Sequence, residues 1–224
     1  MNRRNFLQSA LFAGINLLTI NAFAQDKKMK VLILGATGSL GKYVIDALLH
    51  KNPNIELILY ARNSGRLKNY ATHSQIKIID GDVLDTNKLT QALQGVNAVY
   101  AGLAGDLSKM AKSLITAMNA AQVKRLVWIS SYGIYNEIGN GTMPPAEYVH
   151  SAKIIEQSNL DYTIIRPQWF SSRDEIDYEI THRHEKFKNP DAQISRKSIA
   201  DLVAKCIVDN FGVKDSLGIN KPAK

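Results

Sequence analysis

The chain has 224 residues, 45% of them hydrophobic, which is enough to bury one substantial core and too few for two typical domains. The formal net charge of +8 is spread along the chain and not gathered into a basic run, so nucleic-acid binding is a weak hypothesis. The single cysteine, Cys206, lies in an apolar segment where a thiol commonly acts as a small buried residue, and no Cys/His cluster has metal-ligand spacing.

The first 24 residues have the layout of a targeting segment and not of a folded domain. The pair Arg3-Arg4 precedes a moderately apolar stretch over 10–23, and Ala22-Phe23-Ala24 offers a small-x-small cleavage site. This order resembles a twin-arginine export signal, which implies recognition by the twin-arginine export machinery and a periplasmic mature chain, 25–224, with a charge of +6. The alternative is an amphipathic helix that stays attached to a cytoplasmic protein. The apolar stretch is too short to span a membrane.

The mature chain alternates between short apolar strands and amphipathic helices. Uninterrupted apolar runs such as 30–34 are typical of strands that are buried on both faces of a parallel sheet. The predicted strands are 30–34, 56–60, 76–79, 98–101, 125–129 and 162–165, and the predicted helices are 40–50, 87–93, 107–121, 146–158 and 197–209. This alternation predicts a single α/β domain, 25–224, with a doubly wound parallel sheet of the Rossmann type.

A glycine pattern, G-x-x-G-x-x-G, lies between the first predicted strand and the first predicted helix. Glycine lets the backbone turn tightly and approach a pyrophosphate, whose charge then lies at the positive end of the helix. The loop residues that we expect to bind a cofactor are Gly35, Thr37, Gly38, Ser39, Leu40 and Gly41. The pattern predicts a nicotinamide dinucleotide site. The alternative is a glycine-rich turn that binds nothing.

The end of the second predicted strand indicates which dinucleotide is bound. A nicotinamide-binding fold usually has an acidic residue here for the adenosine ribose, but this chain has Ala61 and then Arg62. Arg62, with Arg66 one helical turn later, would pair well with a 2′-phosphate. The sequence therefore favours NADP as the cofactor, with NAD as the less favoured alternative. Arg62 as an ordinary solvated cation is the other interpretation.

Four segments resemble the atypical short-chain dehydrogenase/reductase superfamily, specifically its small NAD(P)H-binding, NmrA-like and flavin reductase-like members. They are 35–41, 80–83, 126–131 and 161–167. The resemblance implies that Asp82 and Val83 contact the adenine, and that Ser130 lies near the nicotinamide. It also implies that the residues after the fourth strand line the cofactor: Ala101, Gly102 and Leu103. Each has a simpler alternative; Asp82, for example, could only cap the next helix.

The catalytic pair of the superfamily is missing from this chain. A tyrosine is usually followed four residues later by a lysine, but Tyr148 is followed by Ala152. Lys153, the next residue, lies about 140° around the helix from Tyr148. Ser131 and Tyr148 remain the candidate proton donors to a substrate.

Two functions of different classes follow from these residues. The first is an oxidoreductase that transfers hydride from NADPH to a small planar or carbonyl acceptor. Trp169, Phe170 and Tyr132 would form an aromatic wall for a planar acceptor such as a flavin or a quinone, although aromatic residues after a strand often pack in the core. The second is a non-catalytic, NmrA-like NADP sensor that acts through a partner protein. The missing Tyr/Lys pair favours the sensor, and the export signal favours the enzyme.

Overall fold

The computed structural model of the protein describes residues 28–137 and 143–223. The predicted export signal at residues 1–24 lies outside the described residues. In the described part, no helix is long and apolar enough to cross a membrane.

Strands and helices alternate along the described chain, as the apolar pattern predicts. The strands are β1 (Met29–Leu34), β2 (Ile55–Ala61), β3 (Ile76–Asp80), β4 (Ala98–Ala101), β5 (Arg125–Ile129), β6 (Asp161–Pro167), β7 (Trp169–Ser171), β8 (Glu179–Thr181), β9 (Gln193–Ser195) and β10 (Asp215–Asn220). The helices are α1 (Gly41–Lys51), α2 (Thr86–Ala92), α3 (Leu107–Ala120), α4 (Ala146–Glu156) and α5 (Arg196–Val208), with a 3₁₀ helix at Ser64–Tyr70.

The main sheet has eight strands in the order β3-β2-β1-β4-β5-β6-β10-β8. All neighbours are parallel except β8, which runs antiparallel to β10 at one edge. The order runs one way from β1 to β3 and the other way from β4 onward, so the ends of β1 and β4 form the point where ligands bind in such sheets. The fold is therefore the predicted single-domain, doubly wound α/β fold. Strands β7 and β9 pair in a small separate ladder.

The alternation of side chains along β1 explains why both faces of the sheet are covered. Val31 and Ile33 pack on the side of α1 and α5, whereas Leu32 and Leu34 pack on the side of α2, α3 and α4. All four side chains are fully buried. Cys206 on α5 is also fully buried, and this burial raises the pKa of its thiol to about 12. The thiol is thus a core residue, as its apolar context indicates.

The structure adds four strands that the sequence pattern does not reveal. Strands β7, β8 and β9 are three residues long, and β10 contains a glycine and begins with an aspartate. Strand β6 also extends to Pro167, two residues beyond its apolar run. Parts of the segment 167–193 are therefore held by short strand pairings.

Candidate functional site

A cleft of about 280 Å³ opens where β1, β2, β3 and β4 end. Its walls come from the glycine loop and from the loops that follow the three other strands. The lining residues are Gly35, Thr37, Gly38, Tyr60, Ala61, Arg62, Asn63, Arg66, Gly81, Asp82, Val83, Gly102, Leu103, Ala104 and Met110. The cleft therefore lies at the reversal point of the sheet.

The glycine loop is folded tightly against the end of β4. Gly35 has φ = +85°, and a Cβ at this position would overlap the carbonyl oxygen of Gly102. The Gly102 N–H donates to the carbonyl oxygen of Leu34 at 3.0 Å, which joins the ends of β4 and β1. Within the loop, the Gly38 N–H donates to the Gly35 carbonyl at 2.9 Å. Two glycines in contact thus leave the backbone exposed where a pyrophosphate would lie.

The start of α1 is open to an anion. Within the described residues, no side chain caps this helix, and its first turn contains no acidic residue. By contrast, side chains of Asp85, Asp106 and Ser195 cap α2, α3 and α5 by accepting a backbone N–H. The unpaired N–H groups at the start of a helix carry a partial positive charge. A phosphate is therefore the group that this helix end can stabilise.

Two arginines form a basic rim on the side of the cleft where β2 ends. Arg62 and Arg66 line the cleft with exposed side chains, and the Arg66 guanidinium donates to the Thr37 carbonyl at 3.2 Å. Asp80 holds this loop in place by accepting from the Ser64 N–H at 2.9 Å and from the Ser64 hydroxyl at 2.6 Å. These hydrogen bonds from Ser64 lower the pKa of Asp80, so the carboxylate stays charged at neutral pH.

A packed tyrosine shapes the part of the cleft at the ends of β2 and β3. The Tyr60 hydroxyl donates to the Asp82 carbonyl at 3.1 Å, and a Cβ at Gly81 would overlap the Tyr60 ring. Burial, with smaller effects of Asp85 and Asp82, raises the pKa of Tyr60. The Asp82 side chain accepts from the Leu84 N–H at 2.9 Å, whereas Asp85 caps α2. Asp82 is thus not the helix cap that was its simpler alternative.

The structure brings most of the predicted cofactor residues together. Eight of them line the cleft: Gly35, Thr37, Gly38, Arg62, Asp82, Val83, Gly102 and Leu103. Ser39 is exposed on the loop, while Leu40, Gly41 and Ala101 are buried beneath it, so any contact from these three would come from their backbone. Sequence reasoning missed six lining residues: Tyr60, Ala61, Asn63, Gly81, Ala104 and Met110. Gly81 alone carries a local signal, since it lies between two aspartates directly after a strand.

Ser130 and Ser131 follow β5, at the same edge of the sheet but outside the cleft lining. The Ser130 N–H donates to the Ile165 carbonyl on β6 at 2.8 Å, and its hydroxyl donates to the Tyr148 carbonyl at 3.4 Å. The neighbouring Ser131 hydroxyl donates to the Tyr132 carbonyl at 3.2 Å. The end of β5 and the start of α4 are therefore in contact, which brings the two candidate proton donors, Ser131 and Tyr148, to one region.

A buried ion pair supports the loop that follows β5. Arg166 and Glu137 have side chains with 0% exposure and form an ion pair. Glu137 also accepts from the backbone N–H groups of Gly133, at 3.2 Å, and Tyr135, at 2.8 Å. The Arg166 guanidinium donates to the side chain and carbonyl of Ser216 on β10, at 3.1 and 3.2 Å. Arg166 thus links the loop that follows β5 to strand β10 of the sheet.

The predicted aromatic wall does not form. Tyr132 stacks on Phe187 with ring centroids 4.2 Å apart, and burial raises the pKa of its phenol. Phe170 packs against the core, with the Arg196 guanidinium 5.2 Å from its ring centroid. Trp169 alone of the three is open to solvent, with 79% of its surface exposed. The alternation of β7 explains the separation, because Trp169 and Phe170 are adjacent in a strand and point to opposite faces.

Comparison with solved structures agrees with this geometry. A Rossmann-fold NAD(P)-binding family protein from Shigella flexneri is 39% identical, with a TM-score of 0.77 over 88% of this chain and 95% of that chain. A short-chain dehydrogenase/reductase from Veillonella parvula DSM 2008, solved in complex with NADP, is 25% identical, with a TM-score of 0.76 over 87% of this chain and 95% of that one.

Sequence comparison gives the same family, and the named relatives it finds are longer than this chain. Quinone oxidoreductase 2 from Escherichia coli (strain K12) is 27% identical over 141 residues, which cover 63% of this chain and 49% of that protein. This chain spans about half the length of the curated relatives it matches. The family model described as NAD(P)H-binding matches residues 35–210. The chain therefore belongs to the NAD(P)H-binding family of Rossmann-fold proteins.

Proposed function

We propose that this protein is an NADPH-dependent oxidoreductase that transfers hydride to a small planar or carbonyl acceptor. The observation that carries the proposal is the basic rim: Arg62 and Arg66 line the cleft at the end of β2, where an acidic residue would favour NAD. The solved relative in complex with NADP and the relative named as a quinone oxidoreductase support it.

The residues of the cleft fit a dinucleotide phosphate. The contact between Gly35 and Gly102 leaves no room for side chains, and the uncapped start of α1 offers N–H groups to a pyrophosphate. Arg62 and Arg66 would pair with the 2′-phosphate, and Asp82 and Val83 would contact the adenine. When bound, the cofactor supplies a hydride from its nicotinamide ring. The acceptor gains that hydride and one proton, and the chain delivers the proton from the hydroxyl of Ser131 or Tyr148, which solvent then reprotonates.

Replacing Arg62 by alanine should raise the Kd for NADPH by about 10- to 100-fold, because a charge-assisted hydrogen bond to phosphate is lost. The Kd for NADH should change by less than about threefold, since NADH has no 2′-phosphate for Arg62 to bind. Titration calorimetry with both nucleotides measures the difference.

Lys68→Ala is the matched control for this experiment. Lys68 lies in the 3₁₀ helix that begins two residues after Arg62 and is exposed, but it does not line the cleft. Its replacement removes one positive charge nearby without removing a phosphate ligand, so both Kd values should stay within about twofold. An equal loss of NADPH and NADH affinity in Arg62→Ala would contradict the NADP assignment.

The proton donor is tested by Ser131→Ala and Tyr148→Phe. The variant that lacks the donor should lose about 100-fold or more in kcat, because general acid catalysis contributes rate of this order. Its Kd for NADPH should be unchanged, since neither hydroxyl lies in the cleft lining. Steady-state oxidation of NADPH with 1,4-naphthoquinone and with butane-2,3-dione gives kcat for both acceptor classes. Full activity in both variants would remove both residues from the mechanism.

A non-catalytic NADP sensor is the second candidate function. Ala152 occupies the position at which the superfamily carries its lysine, and Lys153 is exposed on the surface of α4. A sensor would bind NADP with the same dependence on Arg62 but would oxidise no NADPH with either acceptor. The comparison of binding with turnover therefore separates the two functions.

A further inference from the structure

We propose that the exposed indole of Trp169 is the platform on which the acceptor stacks, and that the acceptor is a planar aromatic molecule and not an aliphatic carbonyl. The inference rests on the proposed hydride transfer and identifies the residue that selects the acceptor. Trp169 is the most exposed of the large hydrophobic side chains in the described part of the chain. An indole with 79% exposure presents a large apolar face, and stacking of a planar ligand on it would remove that face from water.

The backbone under Trp169 is held rigidly. Gln168, the preceding residue, is 1% exposed, and its side chain bonds to the carbonyl of Asn189 and accepts from the Lys221 N–H at 2.8 Å. On the other side, the Phe170 ring packs against the core. Strand β7 pairs in parallel with β9, so Trp169 lies opposite Gln193. The indole is therefore presented from a fixed strand and not from a mobile loop.

Trp169 follows the end of β6, at the same edge of the sheet as the candidate proton donors. Strand β6 ends at Pro167 beside β5, and the Ser130 N–H at the end of β5 donates to Ile165 of β6. Trp169 thus follows the strand next to the one that carries the two serines. The nucleotide cleft lies on the other side of those serines, at the ends of β1 to β4. An acceptor between the two regions would reach both a hydride donor and a proton donor.

Two of the other exposed apolar side chains also lie in the segments that follow β5 and β6. Met143 (47% exposed) precedes α4, and Ile176 (61% exposed) lies between β7 and β8, so both belong to the irregular segments after β5 and β6. Two other aromatic residues of this region are already packed, since Tyr132 stacks on Phe187 and Phe170 contacts Arg196. Trp169 therefore presents a ring face that is open to a ligand. Stacking on this face stabilises the binding of an aromatic ligand more than that of an aliphatic one.

Kinetics test the proposal with two acceptors, 1,4-naphthoquinone and riboflavin. Trp169→Ala should raise KM for the acceptor that is bound by about tenfold or more, whereas Trp169→Phe should restore KM to within about threefold because it keeps a ring. The KM for NADPH should not change in either variant. The control is Val213→Ala, another exposed apolar residue (41%), which lies at the opposite end of the sheet with the first residues of β1 and β5. Equal KM values in wild type and Trp169→Ala for both acceptors would overturn the inference and leave the proposed function intact.

Tryptophan fluorescence tests whether the acceptor binds at Trp169, without the need for turnover. The chain has two tryptophans, and Trp128 is fully buried, so the red-shifted emission belongs to Trp169. In the presence of NADP⁺, 1,4-naphthoquinone should quench this emission along a saturating curve, and the signal should vanish in Trp169→Phe. Quenching that rises linearly, as for free N-acetyltryptophanamide, would show collision without binding and would overturn the inference. Failure of NADP⁺ to bind would instead overturn the proposed function, and this result is read from the calorimetry alone.

Discussion

Replacing Arg166 by methionine should lower the free energy of unfolding by about 3–5 kcal/mol. The change leaves the carboxylate of Glu137 buried at 0% exposure without its cation. It also removes the hydrogen bonds that the guanidinium donates to Ser216 on β10 and to the His182 carbonyl at 2.9 Å. Urea unfolding, followed by the shift of the midpoint at constant m value, measures the loss.

A second variant separates the charge effect from the loss of packing. Arg166→Met combined with Glu137→Gln removes the unpaired charge but keeps an oxygen for the N–H groups of Gly133 and Tyr135. It should recover at least half of the lost stability, since an unpaired buried charge is the largest part of the penalty. The control is Lys51→Met, which breaks an exposed ion pair with Asp209 and should change stability by less than about 1 kcal/mol. A loss below this control value in Arg166→Met would contradict the buried-pair interpretation.

Gly35→Ala should weaken dinucleotide binding by at least about 100-fold, equivalent to about 2.7 kcal/mol. Gly35 has φ = +85°, a conformation that is unfavourable for alanine by about 1–2 kcal/mol. The new Cβ would also overlap the Gly102 carbonyl, so the ends of β1 and β4 must separate. This separation displaces the loop that we expect to hold the pyrophosphate. Calorimetric titration with NADPH measures the change in Kd.

Gly95→Ala is the control for backbone strain in this experiment. Gly95 also has a positive φ, +73°, but a Cβ there would meet no described atom within 4 Å, and Gly95 does not line the cleft. Its replacement should lower stability by about 1–2 kcal/mol and leave the NADPH Kd unchanged. Nucleotide binding that is equally weak in both variants would mean that loss of stability, and not the contact with Gly102, explains the effect of Gly35→Ala.

The sequence predicts the central part of the fold because that part depends on local patterns. Strands β1 to β5 follow from short segments rich in apolar residues, and their bounds agree to within about one residue. Strand β10 escapes prediction because its pattern is set by its neighbours: a Cβ at Gly218 would overlap Phe187 and Thr181, so packing requires the glycine. Such long-range contacts are not visible in a window of ten residues.

The candidate site also has a part that local motifs predict and a part that they do not. Motifs predict the glycine loop, Arg62 and the Asp82-Val83 pair, which all lie in the structure around one cleft. Tyr60 and Met110 carry no local signal, since they reach the cleft only because the ends of different strands meet there. The aromatic wall was predicted from residue type and from position after two strands, and it was wrong because the alternation of β7 and the stacking of Tyr132 on Phe187 separate its members.

The small β7–β9 ladder has a consequence for how this protein can change in evolution. Because the ladder is hydrogen-bonded apart from the eight-stranded sheet, we expect replacements at its exposed position to leave the register of the main strands unchanged. Trp169 can therefore be exchanged with little effect on the cofactor loop, which rests on β1 and β4. Descendants of one ancestor could in this way acquire new acceptors while inheriting the same cofactor half, so divergence in specificity should accumulate in this ladder first.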